Sequence, residues 1–186
     1  MAIKIYVDQG HNPQNPNAGA EGSGLREQDI VYRVGIELAE LLRNDPRFEV
    51  RLSRPNESTQ LGSSNSESLK LRVADANAWG ADYFISIHTN ASSLPNATGS
   101  EAFAYSQPSA AFSLGEDILT NLNRTTGLRN RGMQVRPGLY VLRKTAMPAV
   151  LVELGFITNA RDAELMNTRP DLFALGIYDG IVEYTA

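Results

Sequence analysis

Apolar positions along the chain fall into short continuous runs that alternate with longer stripes of helical spacing. Ile3 to Asp8 reads as a buried strand and is followed by a Gly-, Asn- and Pro-rich loop from Gln9 to Gly24. Ile30, Val34, Leu38, Leu41 and Leu42 recur at helical spacing, which predicts a helix from about Leu25 to Asn44. Phe48, Val50 and Leu52 alternate with Arg47, Glu49 and Arg51, the mark of a half-exposed strand. Pro55 to Ser68, rich in Ser, Asn and Glu, is expected to be a mobile surface loop. A helix over Leu69 to Trp79, closed by Gly80, leads into a buried strand from Ala81 to His88. Further strands are expected at Ser100 to Tyr105, Leu139 to Leu142 and Ala149 to Glu153, and helices at Ser109 to Thr126, Ala160 to Asn167 and Pro170 to Tyr184. Such alternation predicts an α/β fold: one domain over residues 1–186, with a twisted, mostly parallel but mixed sheet of about six strands and helices on both faces.

The chain has 2 histidines, and both stand at the ends of strand-like runs: His11 just past Ile3 to Val7, and His88 after Tyr83 to Ile87. A third run, Ala149 to Val152, ends in Glu153. Strand ends on one edge of an α/β sheet are where ligands bind, because the loops there converge on a crevice. Glu27 shares a helix face with Val31, Val34, Leu38 and Leu41, so its carboxylate points towards the sheet. A buried unpaired carboxylate costs several kcal/mol, so Glu27 either reaches solvent at the helix start or binds a cation. Gly10, Gly19, Gly22 and Gly24 allow the loop to fold back and bring that helix start beside His11. His11, Glu27 and His88 would then form a His2Glu set suited to a catalytic zinc with one open position. Blander readings stand beside this one: a strand-end histidine also serves as a hydrogen-bonded structural residue, and the helix dipole alone favours Glu in a first turn.

Composition narrows the function. The formal net charge is −4, which leaves no basic surface to neutralise phosphates and argues against nucleic acid as a partner. No apolar stretch approaches the ~20 residues of a membrane span, so no membrane contact is expected from this chain; nor is an export signal expected at its start. The absence of cysteine excludes disulfides and thiolate ligands, leaving His, Asp and Glu as the strong metal ligands.

Four segments, in order, carry a family resemblance: Val7-Asp8-Gln9-Gly10-His11, Gly24-Leu25-Arg26-Glu27-Gln28-Asp29, Ala81 to Ala91 with its Ser86-Ile87-His88-Thr89-Asn90 centre, and Met147 to Asn159 with Val152-Glu153-Leu154-Gly155-Phe156. Together they resemble the zinc-dependent N-acetylmuramoyl-L-alanine amidases of bacterial cell walls, the amidase type 3 family. Gly99-Ser100-Glu101 and Arg131-Gly132 are similar to further family signposts, and the resemblance spans nearly the whole chain. It implies His11, Glu27 and His88 as zinc ligands and Glu153 as the catalytic residue. It also implies hydrolysis of the amide bond between N-acetylmuramic acid and L-alanine, peptidoglycan as the partner, and action outside the cytoplasm at the cell wall. A regulatory activator protein is known to the family and is compatible with this chain. The family usually has Pro where this chain has Gln9, and the stretch between Arg54 and Arg72 is several residues longer than usual. Asn90 to Gly99 is short where some relatives carry a plugging helix, so an open site is expected. Asp8 is a candidate to hold a ligand imidazole or to cap a turn, and Asn90 and Asn159 are candidates to contact substrate.

Two other enzyme classes and a binding module compete with this reading. A zinc peptidase or carboxypeptidase-like hydrolase would aim an arginine, among Arg54, Arg72 and Arg143, at a chain-terminal carboxylate. A serine hydrolase finds only Ser86, on the same strand face as His88, without a Gly-x-Ser-x-Gly elbow. A non-catalytic wall-binding module would keep binding after loss of Glu153.

Overall fold

The structure, a computed structural model, describes residues 1–186. Six strands form the main sheet: β1 (Ile3–Gln9), β4 (Phe48–Leu52), β5 (Tyr83–Asn90), β6 (Ser100–Ala104), β7 (Asn130–Val135) and β8 (Ala149–Phe156). A small hairpin of β2 (Glu21–Gly22) and β3 (Leu25–Arg26) lies in the loop after β1. The helices are α1 (Glu27–Arg43), α2 (Asn65–Trp79), α3 (Ala110–Thr126), α4 (Tyr140–Lys144), α5 (Ala160–Thr168) and α6 (Pro170–Tyr184). Strand order is β4-β1-β5-β8-β6-β7. Four neighbouring pairs are parallel and one, β6 with β8, is antiparallel, so the expected mixed, mostly parallel six-stranded sheet is the one observed.

Side-chain alternation along the strands splits the core in two. Ile5, Val7, Ile85, Ile87, Val150 and Val152 face α1, α3, α5 and α6 in the larger cluster. Tyr6, Phe84, Phe103, Ala149 and Leu151 face α2 and α4 in the smaller one. Burial on both faces explains why β1, β5 and β8 read as continuous apolar runs rather than as alternating ones.

The sequence reading needs three corrections. Leu139 to Leu142 is not a strand: Leu139 caps α4, its carbonyl accepting from the Leu142 and Arg143 amides. A four-residue apolar run fits either element, and here it covers the smaller core as a helical turn. The sixth strand is instead β7, which went unpredicted because an edge strand of sequence Asn-Arg-Gly-Met-Gln-Val is largely exposed and carries no buried pattern. Pro55 to Ser68 is not free slack either. Its end belongs to α2, which starts at Asn65 with the Ser64 side chain accepting from the Glu67 amide. The rest is tied to the loop after β1, where Asn12 accepts from the Leu61 amide at 3.0 Å and donates to the Leu61 carbonyl at 2.9 Å.

Candidate metal centre and active site

The C-terminal ends of β1, β5 and β8 deliver His11, His88 and Glu153 to one edge of the sheet, and the start of α1 brings Glu27 to the same place. Glu27 Oε1 lies 3.2 Å from His11 Nε2 and 3.2 Å from His88 Nδ1, and those two ring nitrogens are 3.2 Å apart. One ligand atom from each residue lies within 4.8 Å of the others, so the trio could hold a metal ion. The donor set of two imidazoles and a carboxylate is the chemistry of a catalytic zinc site.

Local folding fixes each member. Glu27 is buried, with Oε1 accepting from the Thr89 amide and Oε2 from the Ala20 amide, both at 2.9 Å. Burial alone would raise its carboxyl; the His11 hydrogen bond and the neighbouring His88 ring outweigh that and hold it well below the usual range. His11 takes φ of 67°, a left-handed conformation uncommon outside glycine, and its carbonyl accepts from Arg72 at 2.6 Å. Gly10 is required by the neighbouring strand. A Cβ there would collide with the His88 ring, standing 2.6 Å from Nε2, and would lie 2.7 Å from the Ile87 carbonyl oxygen. Gly10→Ala is therefore expected to fold but to bind metal at least about tenfold more weakly, measured by competition with a chelator; unchanged affinity would mean that the ring moves aside freely.

Glu153 pairs in register with His88 on one side and Glu101 on the other. Its Oε2 is buried with no hydrogen-bond partner. Burial, then the charges of Glu27 and Glu101, push its carboxyl up to about 8. A carboxyl so placed exchanges its proton near neutral pH, and a cation held beside it would draw the value down again. Glu101 was visible in the sequence only as part of a signpost. Its position follows from topology: β6 runs antiparallel to β8, so its start, not its end, lies at the site edge. Glu101 is held by Asn90, by Gln134 at 3.0 Å and by Arg131 at 3.6 Å, and the Arg131 guanidinium stacks on Phe156.

Asp8 neither caps a turn nor touches an imidazole. It accepts from Arg72 at 2.7 Å and from the Ser86 hydroxyl at 2.7 Å, and Ser86 in turn meets His88 Nε2 at 3.2 Å. Asn90 holds Glu101, while Asn159 caps α5 and donates to the Pro95 carbonyl. Arg54 and Arg72 are both buried and occupied by protein acceptors, which removes them as ligands for a substrate carboxylate. Ser86 is buried and engaged by Asp8, which removes it as a nucleophile.

Comparison with known proteins agrees with the geometry. A family model described as N-acetylmuramoyl-L-alanine amidase matches residues 5–183. The chain is 36% identical over 168 residues to the N-acetylmuramoyl-L-alanine amidase CwlM of Bacillus licheniformis, covering 89% of this chain and 61% of that protein. It is 36% identical to the amidase LytC of Bacillus subtilis, covering 97% of this chain and 35% of that protein. It thus spans about three fifths of the first relative's length and about one third of the second's. Among solved structures, the catalytic domain of CwlV from Bacillus (Paenibacillus) polymyxa superposes with a TM-score of 0.85 at 31% identity, covering 98% of both chains. The CwlD amidase of Clostridioides difficile, in complex with the GerS lipoprotein, gives 0.90 at 28%, again covering 98% of both. With a family model matched across nearly its full length, this chain belongs to the N-acetylmuramoyl-L-alanine amidase family.

Proposed function

We propose that residues 1–186 form one catalytic unit, a zinc-dependent amidase that hydrolyses the bond between the lactyl carbonyl of N-acetylmuramic acid and the amino group of L-alanine in peptidoglycan. The observation that carries this reading is the meeting of His11, Glu27 and His88 at 3.2 Å separations beside Glu153, whose Oε2 is buried without a hydrogen-bond partner. In this reading His11, Glu27 and His88 hold the metal and Glu153 is the catalytic residue. When bound, zinc supplies Lewis acidity that activates water and polarises an amide carbonyl. Glu153 takes the proton of the attacking water and hands it to the departing amine nitrogen, which leaves as the free amino terminus of the stem peptide. The Thr89 and Ala20 amides hold the Glu27 carboxylate in place.

The substrate places the action outside the cytoplasm, at the cell wall. No helix is long and apolar enough to cross a membrane. The complex of the similar CwlD amidase with a lipoprotein supports a separate activator protein as a partner of this chain too.

The test is mass spectrometry of the products from purified peptidoglycan, with zinc-loaded protein and a chelated control. Stem peptides with a free L-alanine amino terminus, released only with zinc, are expected. Peptides shortened from the carboxyl end would transfer the chain to the peptidases, and zinc-independent release would remove the metal from the mechanism.

A further inference from the structure

We infer that Ser86, backed by Asp8, is a positioning residue that fixes His88 in the Nε2-protonated form and so presents a bare Nδ1 to the metal. The inference rests on the proposed metal reading of the trio and extends it to a residue outside the ligand set. Its logic is a count of protons. Asp8 is buried against Arg72, whose guanidinium donates to Oδ1 at 2.7 Å. A carboxylate so paired has only lone pairs to offer, so the 2.7 Å contact between Ser86 Oγ and Asp8 Oδ2 uses the serine proton. With its proton spent, the Ser86 oxygen can only accept. The 3.2 Å contact with His88 must then carry a proton on Nε2. A neutral imidazole with Nε2–H has its lone pair on Nδ1, the atom 3.2 Å from both Glu27 Oε1 and His11 Nε2.

The two histidines differ in this respect. His11 Nδ1 is buried without a hydrogen-bond partner and its Nε2 meets only Glu27 and His88, so no residue outside the trio sets the tautomer of that ring. The protein orients one imidazole in advance and leaves the other to be fixed when the ion arrives. Covering groups reinforce the arrangement at His88: Ser86 is fully buried, and Gly10 leaves room for the ring and for nothing larger. The strand explains the pairing, since residues two apart in β5 share a face.

Two readouts test it. In metal-free protein near pH 8, nitrogen-15 imidazole NMR is expected to show His88 protonated on Nε2; protonation on Nδ1 would overturn the inference. Ser86→Ala is expected to lose that single tautomer and to weaken zinc binding by about 10–100-fold, measured by competition with a chelating dye. Wild-type affinity in that variant would also overturn it. Should Ser86→Ala fail to fold, the tautomer of the natural protein decides alone. If the natural protein binds no zinc, the metal reading falls, while the His88 tautomer still judges the role of Ser86.

Discussion

Glu153→Gln is expected to lower turnover on peptidoglycan by about 100-fold or more while zinc still binds one to one. The amide matches the carboxylate in size, so the packing at the end of β8 persists, but it cannot take up and release a proton. Glu153 is suited to that task because its Oε2 is buried with no competing donor. Burial and the charges of Glu27 and Glu101 raise its carboxyl above the ordinary glutamate range, and a cation held by the trio draws it back towards neutrality, where the group both takes up and releases a proton. Rate and zinc content must be read together. Loss of zinc along with activity would make Glu153 a ligand, and an unchanged rate would move the proton carrier elsewhere, with the adjoining Glu101 next to be examined.

Elements buried on both faces were the ones legible in the sequence. Ile3 to Asp8, Ala81 to His88 and Ala149 to Glu153 announce themselves because a parallel strand between two helix layers has no polar side to interrupt it. The same runs carry the histidines and Glu153 at their ends, so the candidate site was legible with the strands. Glu27 was legible from its place on the apolar face of α1, whose Val31, Val34 and Leu38 are buried as that face requires. β7 was not legible, because an exposed edge strand is specified by its pairing with β6 and not by burial. Glu101 was obscured for a related reason. Its place beside Glu153 depends on β6 running against β8, and strand direction is not written in a local pattern. Arg72 and Ser86 were visible as residues but not in their surroundings: an arginine in the first turn of an expected surface helix suggests solvent or substrate, whereas this one is 1% exposed.

Arg72→Met is expected to destabilise the fold by about 3–5 kcal/mol at pH 7, since removing one partner leaves Asp8 as an uncompensated buried charge. The guanidinium holds more than that carboxylate. It donates to the Gln9 carbonyl at 2.6 Å, the His11 carbonyl at 2.6 Å and the Ser53 hydroxyl at 3.3 Å, and so fastens the strand end that carries His11. Its pH dependence separates charge from packing. In the natural protein burial pushes the Asp8 carboxyl up, but Arg72 and the Ser86 hydroxyl outweigh it and hold the group below its ordinary value. A folded value below the unfolded one means that this stabilisation is complete above about pH 4, the ordinary aspartate range, and is lost as pH falls through the lower folded value. In the variant burial acts without the guanidinium, so the carboxyl rises and the fold gains from protonation as pH falls towards 4. The stability gap between the two proteins, measured by urea unfolding, should therefore be widest at neutral pH and narrow on acidification. A gap that stays constant from pH 7 to 4 would assign the loss to the packing of the arginine stem and its carbonyl contacts, and would free Asp8 of the charge role given to it here.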